Sequence, residues 1–356
     1  MRRSPRHRAR DDETDAPTAA KRTKRGSNGA DPVEVAGDGV AWLDASALSV
    51  AKVSEWSEFF GKHCSLLPPT EFFDLFALAT HLHASDPLNA FVGTLGLRLT
   101  GPFELLSRTG EKLAVHKPLY LHGRFALDVP EIVSVIEDTA SATGAHWGLF
   151  RSECKFEPVA SSLFALLSQR VQERLATKKT DPALAQLSRT VNAYLKLKNT
   201  PDAELAPTAI RSRRDREVTA KSLHGLGIVV PYDAKKRCGF RDLPITGTAL
   251  RDLLQRSAAA SARKKVNELI TRATIANDEC DFGTGLLLGL DLFTTGAAFQ
   301  KEALQQLRVS YMLLGRKEFA SVASALVKHR DLDRRQHLNC LVGGEATDAP
   351  TDVTLP

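Results

Sequence analysis

The sequence predicts an α+β fold in two packed domains. A small mixed N-terminal domain of helices and an antiparallel sheet is followed by a mainly helical C-terminal domain, and a disordered basic tail precedes both. Three observations carry this expectation. The 356 residues are 43% apolar, enough for a sizeable core, and that length suits two compact bodies better than one. Helical periodicity flanks a region, residues 95–150, where apolar segments are short and punctuated by breakers. Residues 1–38 have no apolar periodicity and cannot offset chain entropy by burial.

The elements follow in order. Val50, Val53, Phe59 and Phe60 recur at helical spacing, and a second helix with Phe72, Phe73, Phe76 and Ala79 follows Pro68 and Pro69; these aromatics read as core. Leu97 and Leu99, then Leu119 to Leu121, then Trp147 to Phe150 read as strands of a small antiparallel sheet. Helices return with Phe164, Leu167, Val171 and Leu175, and with Leu184, Leu187, Val191 and Leu195. Residues 199–208 hold two prolines and no apolar face, which places the domain boundary there. The expected organisation is a tail over 1–38, an N-terminal domain over 39–200, a C-terminal domain over 208–340 and a flexible C-terminal tail over 341–356.

The C-terminal domain opens with the charged run Arg211 to Glu217, and Ile228 to Val230 reads as a short strand between breakers. Leu250, Leu253 and Leu254, then Val266, Leu269, Ile270 and Ala273, mark one or two helices that begin near Thr246 or Thr248 and stop near Asn277. Further helices are expected from Ala297 to Leu314 and from Lys317 to His329.

Composition excludes several function classes. The longest apolar stretch, Gly285 to Phe293, is interrupted by Asp291 and is far shorter than the roughly 18 residues a membrane span needs. The Arg- and Lys-rich start has no apolar core for a secretory signal. Cys64, Cys154, Cys238, Cys280 and Cys340 are scattered and odd in number, against a disulfide framework or zinc cage. The formal charge is +6, but residues 1–30 hold nine Arg or Lys against four acids, a net +5, and leave +1 for the remainder. A body so close to neutral lacks the footprint of a phosphate-backbone binder, so any nucleic-acid contact falls to the tail.

The most unusual stretch runs from Asn277 to Gly283. Asp278, Glu279 and Asp281 crowd the expected end of a helix, although helix C-termini favour cations. Local preference is most often broken at functional or capped positions. The plainer alternative is that Asp281 caps the next helix while Asp278 and Glu279 are solvated. A metal site finds no support, because the spacing of a calcium loop is absent and the His81, His83 and His63-Cys64 groups have no second ligand pair. Gly283, Gly285 and Gly289 fit close helix packing better than a phosphate loop. Phe240 and Arg241 stand together in a loop bounded by Gly239 and Pro244; such pairs are enriched at binding hot spots. An internal ion pair from Arg241 to Asp242 or to the acidic cluster is the alternative.

Ordered blocks of the second half resemble the histone PARylation factor family. They are Arg214-Asp215 with Val218-Thr219 and Lys221, leading into His224 to Pro231; Gly239 to Pro244; Asn277 to Gly283; and Gly289 to Phe293. The first half agrees more faintly, through Leu95 to Pro102, Leu121 to Phe125 and His146 to Arg151, so the likeness spans about residues 45–330. It implies a nuclear, monomeric accessory factor, inert alone, that binds the catalytic domain of a poly(ADP-ribose) polymerase at DNA breaks in chromatin. Glu279 matches the general base that takes the proton of an acceptor serine hydroxyl. Asp278 matches a partner contact, and Arg241, beside Phe240, the arginine that anchors the partner. NAD is then the co-substrate of the partner, the chain alone holds no cofactor or metal, and the acceptors are histones or peptides with Lys beside Ser. Phe240 stands where animal members tend to carry Tyr, and Ala297, Ala298 and Glu302 stand where members carry polar or basic side chains. Two other classes remain as alternatives: a chromatin- or DNA-binding protein acting through the tail, and a free-standing hydrolase using Asp278 and Glu279.

Overall fold

A computed structural model describes residues 40–356 except 143, 153–154, 159–161, 179, 202–206, 333–336 and 342–350. The basic tail expected over 1–38 therefore lies outside the described residues. Residues 37–356 form one compact unit.

Two short helices begin the described chain, α1 (Ala41–Ser46) and α2 (Val50–Phe59). Ser49 caps α2, its hydroxyl accepting from the Lys52 amide at 3.3 Å. A π-helical turn, Phe60–Cys64, extends α2 and ends at Ser65 with φ 50°, after which Pro68 and Pro69 lead into α3 (Thr70–Leu82). Trp56, Phe60, Phe72 and Phe103 are fully buried, with Phe72 stacked on Phe103 at 4.1 Å between centroids. The early aromatics are core, as their spacing suggests.

A sheet follows. α4 (Val92–Leu95) leads into β1 (Leu97–Leu99), then come α5 (Pro102–Leu106), β2 (Lys112–Val115), β3 (Ile132–Asp138), β4 (His146–Ser152) and β5 (Lys155–Pro158). Strands β1, β3, β4 and β5 pair antiparallel in the order β1-β3-β4-β5, with Leu97 opposite Asp138 and Val133 opposite Leu149. Leu119 to Leu121, read as a strand, is instead a 3-10 turn closed by the Leu121 amide on the Pro118 carbonyl. It buries Leu119 and Leu121 without a ladder. The helices α6 (Leu163–Thr177) and α7 (Pro182–Leu197) then pack together, capped by Ser162 and Asp181.

The second half is helical: α8 (Pro207–Glu217), α9 (Gly247–Gln255), α10 (Ala260–Asp278), α11 (Phe282–Thr294), α12 (Gln300–Leu313) and α13 (Lys317–His329). Every residue of α11 from Gly283 to Phe293 is buried, so this apolar stretch is the axis of the half, against which α10 and α12 pack. Gly289 permits the approach of α12, since a Cβ there would meet Leu307 Cδ2 at 2.9 Å. Ile228 to Val230, expected as a strand, forms one bridge, Ala220 to Ile228, and no ladder. Gly225 and Gly227, with φ 88° and 68°, turn the backbone before it extends.

The last described segment departs from expectation. Within the flexible tail expected over 341–356, residues 342–350 lie outside the described residues, but β6 (Thr351–Thr354) pairs antiparallel with β2, placing Val353 opposite Leu113. Leu355 is buried behind it, and the pair of apolar side chains explains the docking. The boundary expected between 200 and 208 falls largely on undescribed residues. One hydrophobic cluster nevertheless includes Phe72 and Leu149 together with Leu288 and Leu307. Tyr311 donates to Glu131 at 2.5 Å, a buried bond between residues 180 positions apart. No helix among the described residues is long and apolar enough to cross a membrane.

Candidate functional site

The C-terminal end of α10 and the start of α11 enclose a three-residue corner, Glu279 to Asp281. Glu279 ends α10 at φ −95°, ψ 18°, and Cys280 turns the chain in the left-handed region at φ 68°. The corner leaves Asp278 and Glu279 exposed and folds Asp281 inward, to 2% exposure. Three acids adjacent in sequence thus fall into two environments.

Asp281 is the anchor. One carboxylate oxygen accepts the Gly239 amide at 2.9 Å, and the other accepts Arg241 Nε at 2.9 Å and Nη2 at 2.7 Å. The expected side-chain cap on α11 does not form, because the buried carboxylate is committed to the 239–241 loop. Gly239 holds φ 110°, and its carbonyl accepts the Gly283 amide at 2.9 Å. Thr284 completes the seam: its hydroxyl accepts the Arg241 amide at 2.9 Å and donates to the Arg241 carbonyl at 2.8 Å. A Cβ on Gly283 would meet Val230 Cγ2 at 2.7 Å and the Gly239 carbonyl at 2.9 Å. The glycine is what lets the loop lie against the helix.

Arg241 joins the buried acid to the exposed one. Its Nη2 also bonds Glu279 at 2.6 Å, with the Arg241 side chain 48% and the Glu279 side chain 54% exposed. The guanidinium is held above its usual range first by the bond to Glu279 and then by that to Asp281. The internal ion pair weighed from the sequence is therefore present, with the acidic cluster as its partner. Phe240 is half-buried against the core and supports the loop. Asp278, Glu279 and Arg241 consequently share one solvent-facing ridge, which offers a fixed cation, a half-exposed carboxylate and a second free-standing acid.

Around the ridge, buried polar groups fix the helix ends. Asn277 lies 3.4 Å from Gln306 and 3.5 Å from Ser310, beneath the corner. Asp291, inside α11, accepts the Leu223 amide at 2.7 Å and ties the 222–227 turn to the axis helix. Burial pushes its carboxyl up to about 7. Glu302 pairs with Arg263 at 2.8 Å, and Arg263 also donates to the Ala298 carbonyl at 3.3 Å. Among the described residues no group of three or more His, Cys, Asp or Glu is arranged to hold a metal.

Sequence reasoning found Glu279, Asp278, Arg241 and Phe240, and the structure brings all four to one corner. It assigned no role to Thr284 or Gly239, and it read Asp281 as a cap or as part of an acidic field. Asp291 carried a signal, an acid inside an otherwise apolar run. The bond from Asp281 to Gly239 carried none, because 42 positions separate the pair.

Comparison with known proteins bears on this corner. The family model for histone PARylation factor 1 matches residues 56–153 and 151–330. Histone PARylation factor 1 of Bos taurus is 32% identical over 299 residues, covering 76% of this chain and 86% of that protein. The protein of that name from Danio rerio is 32% identical over 295 residues, covering 76% and 84%. The one from Mus musculus is 30% identical over 292 residues, covering 71% and 81%.

Proposed function

The chain belongs to the histone PARylation factor family, and on that premise we propose that it is an accessory subunit completing the active site of a poly(ADP-ribose) polymerase. Arg241, with Phe240 and Asp278 beside it, docks on the partner's catalytic domain. Glu279 reaches the NAD cleft of that domain and acts as general base. The hydroxyl hydrogen of an acceptor serine passes to the Glu279 carboxylate, the serine oxygen bonds to the anomeric carbon of the ribose, and the bond to nicotinamide breaks. A positioned base of this kind contributes about 100- to 10,000-fold. The acceptors are histones and other chains with Lys beside Ser, drawn by the exposed acids, and the work is done in the nucleus, at chromatin around DNA breaks.

One observation carries this reading. The carboxylate and the cation required for the two roles are 2.6 Å apart at the surface, on an anchor that is otherwise buried. Engaging Arg241 in a complex competes with its bond to Glu279, so docking and release of the base are linked.

The test mixes the chain with a DNA-activated polymerase, NAD and a histone peptide. Glu279→Gln is expected to retain binding while serine modification falls by at least a hundredfold, and Arg241→Ala to lose binding. Undiminished serine labelling with glutamine at 279 refutes the assignment. Hydrolysis of NAD or of ADP-ribose esters by the unmixed chain favours a free-standing hydrolase instead. Steeply salt-dependent DNA binding that disappears on removal of residues 1–30, without any effect on serine labelling, favours a tail-borne chromatin binder.

A further inference from the structure

A concave site separate from that ridge is lined mainly by residues of the first half of the chain. A cleft of about 400 Å³ opens between the π-helical turn Phe60–Cys64, the segment that joins β2 to the 119–121 turn, and β6. Lys62, His63, His116 and Lys117 line it together with Tyr120 and Thr351, and the rest of its wall is aliphatic. No carboxylate is among the lining residues that are described. Four nitrogen-bearing side chains thus line it without a counter-charge among the described lining residues. The size is that of a small-molecule pocket, where an apolar wall with a few convergent polar groups is the usual design.

Two details suggest a site prepared for an anion. The π turn extends α2 and carries Lys62 and His63, with His63 stacked on Phe59 at 4.7 Å; π turns concentrate at functional positions. His116 lines the cleft, and its Nδ1 is buried with no hydrogen-bond partner among the described residues, so the ring is not held by a bond of its own at that nitrogen. Burial, then the neighbouring Lys62, lowers the pKa of His63.

We propose that this cleft binds a phosphorylated organic anion of nucleotide size, with phosphate oxygens among Lys62, His63, His116 and Lys117 and the body of the ligand against Tyr120 and the aliphatic wall. The site is independent of Glu279 and of the reading given for it. Calorimetric titration of the full chain with ADP, inorganic phosphate and adenosine tests it. ADP is expected to bind saturably, phosphate more weakly and adenosine not at all. Lys62→Ala with Lys117→Ala should weaken ADP at least tenfold without altering the thermal melt, and Arg241→Ala should leave ADP binding intact. Lys62→Glu, at an exposed position, gives the same reading if the double variant folds poorly. In proton spectra ADP should shift the imidazole signals of His63 and His116 but not those of His81 and His83. Absence of ADP binding at millimolar concentration, survival of binding in the lysine variants, or adenosine binding as tightly as ADP overturns the proposal. Phosphate binding as tightly as ADP overturns the part that assigns an organic body.

Discussion

Asp291 and His224 respond to acid in opposite ways, although both serve the turn that follows α8. Burial holds the Asp291 carboxyl at about 7, so the fold keeps a proton that the unfolded chain releases near pH 4. Its contribution is therefore stability that is present at low pH and lost as pH rises from about 4 to about 7. His224 has both ring nitrogens buried without a hydrogen-bond partner among the described residues, and burial, then Arg214, push it down to about 4. The unfolded imidazole protonates near 6.5, so stability is lost as pH falls from about 6.5 to about 4. The two slopes offset each other over that window, at about 1.4 kcal/mol per unit of pKa shift. Asp291→Asn should remove the acid-side gain and steepen the loss of stability between pH 6.5 and 4, and His224→Gln should flatten it. Denaturant midpoints measured across pH check both, and identical pH profiles for the three proteins would contradict them. Asp291 was visible in the sequence as an acid in an apolar run, whereas nothing there announced that His224 would lose its partners. Burial of one ring depends on residues from another element.

Helix α11 receives the Arg241 loop through a glycine at its start. Gly283 sits where the 239–241 loop crosses the helix start, and its side is closed by Val230, the Gly239 carbonyl and Phe240. Gly283→Ala should displace that loop, at a cost of about 1–3 kcal/mol for the overpacking. It should weaken partner binding through Arg241 more than it alters Glu279, which belongs to the end of α10. Comparing complex formation with melting temperature separates the two effects, and an alanine variant with unchanged binding would show that the loop has room to spare. The amphipathic helices were legible because 10 to 19 residues of periodicity leave little ambiguity, as in α2 and α10. Leu119 to Leu121 and Ile228 to Val230 were not, since three apolar residues fit a strand or a turn equally well. β6 escaped notice because Thr351–Thr354 contains one apolar residue, and its pairing depends on β2 more than 200 positions earlier. At the corner, the crowding of acids was readable because it broke a local rule, but which acid turned inward depended on the fold.

Across the molecule, buried polar bonds tie early and late segments. Tyr311 bonds Glu131, Arg330 reaches the Ala126 carbonyl at 3.3 Å, and Leu338 exchanges backbone bonds with Arg124 and Gly123 at 2.7 and 2.9 Å. Leaving such groups unpaired costs about 1–3 kcal/mol each, which favours loss of both halves together. Calorimetry of the full chain should give a single unfolding transition with matching calorimetric and van't Hoff enthalpies; two resolved transitions would show that the parts on either side of residues 200–208 unfold separately. The four described cysteines sort themselves along the same division between inside and outside. Cys64 and Cys340 are buried, and burial raises the thiol of Cys340 to about 12 and that of Cys64 further. Cys238 and Cys280 are exposed, with the Cys238 sulfur 3.9 Å from the Cys280 carbonyl, one on each side of the corner that carries Arg241 and Glu279. Alkylating reagents will therefore tag the Arg241–Glu279 ridge before they reach the buried thiols, and these two cysteines give a built-in chemical footprint of that surface.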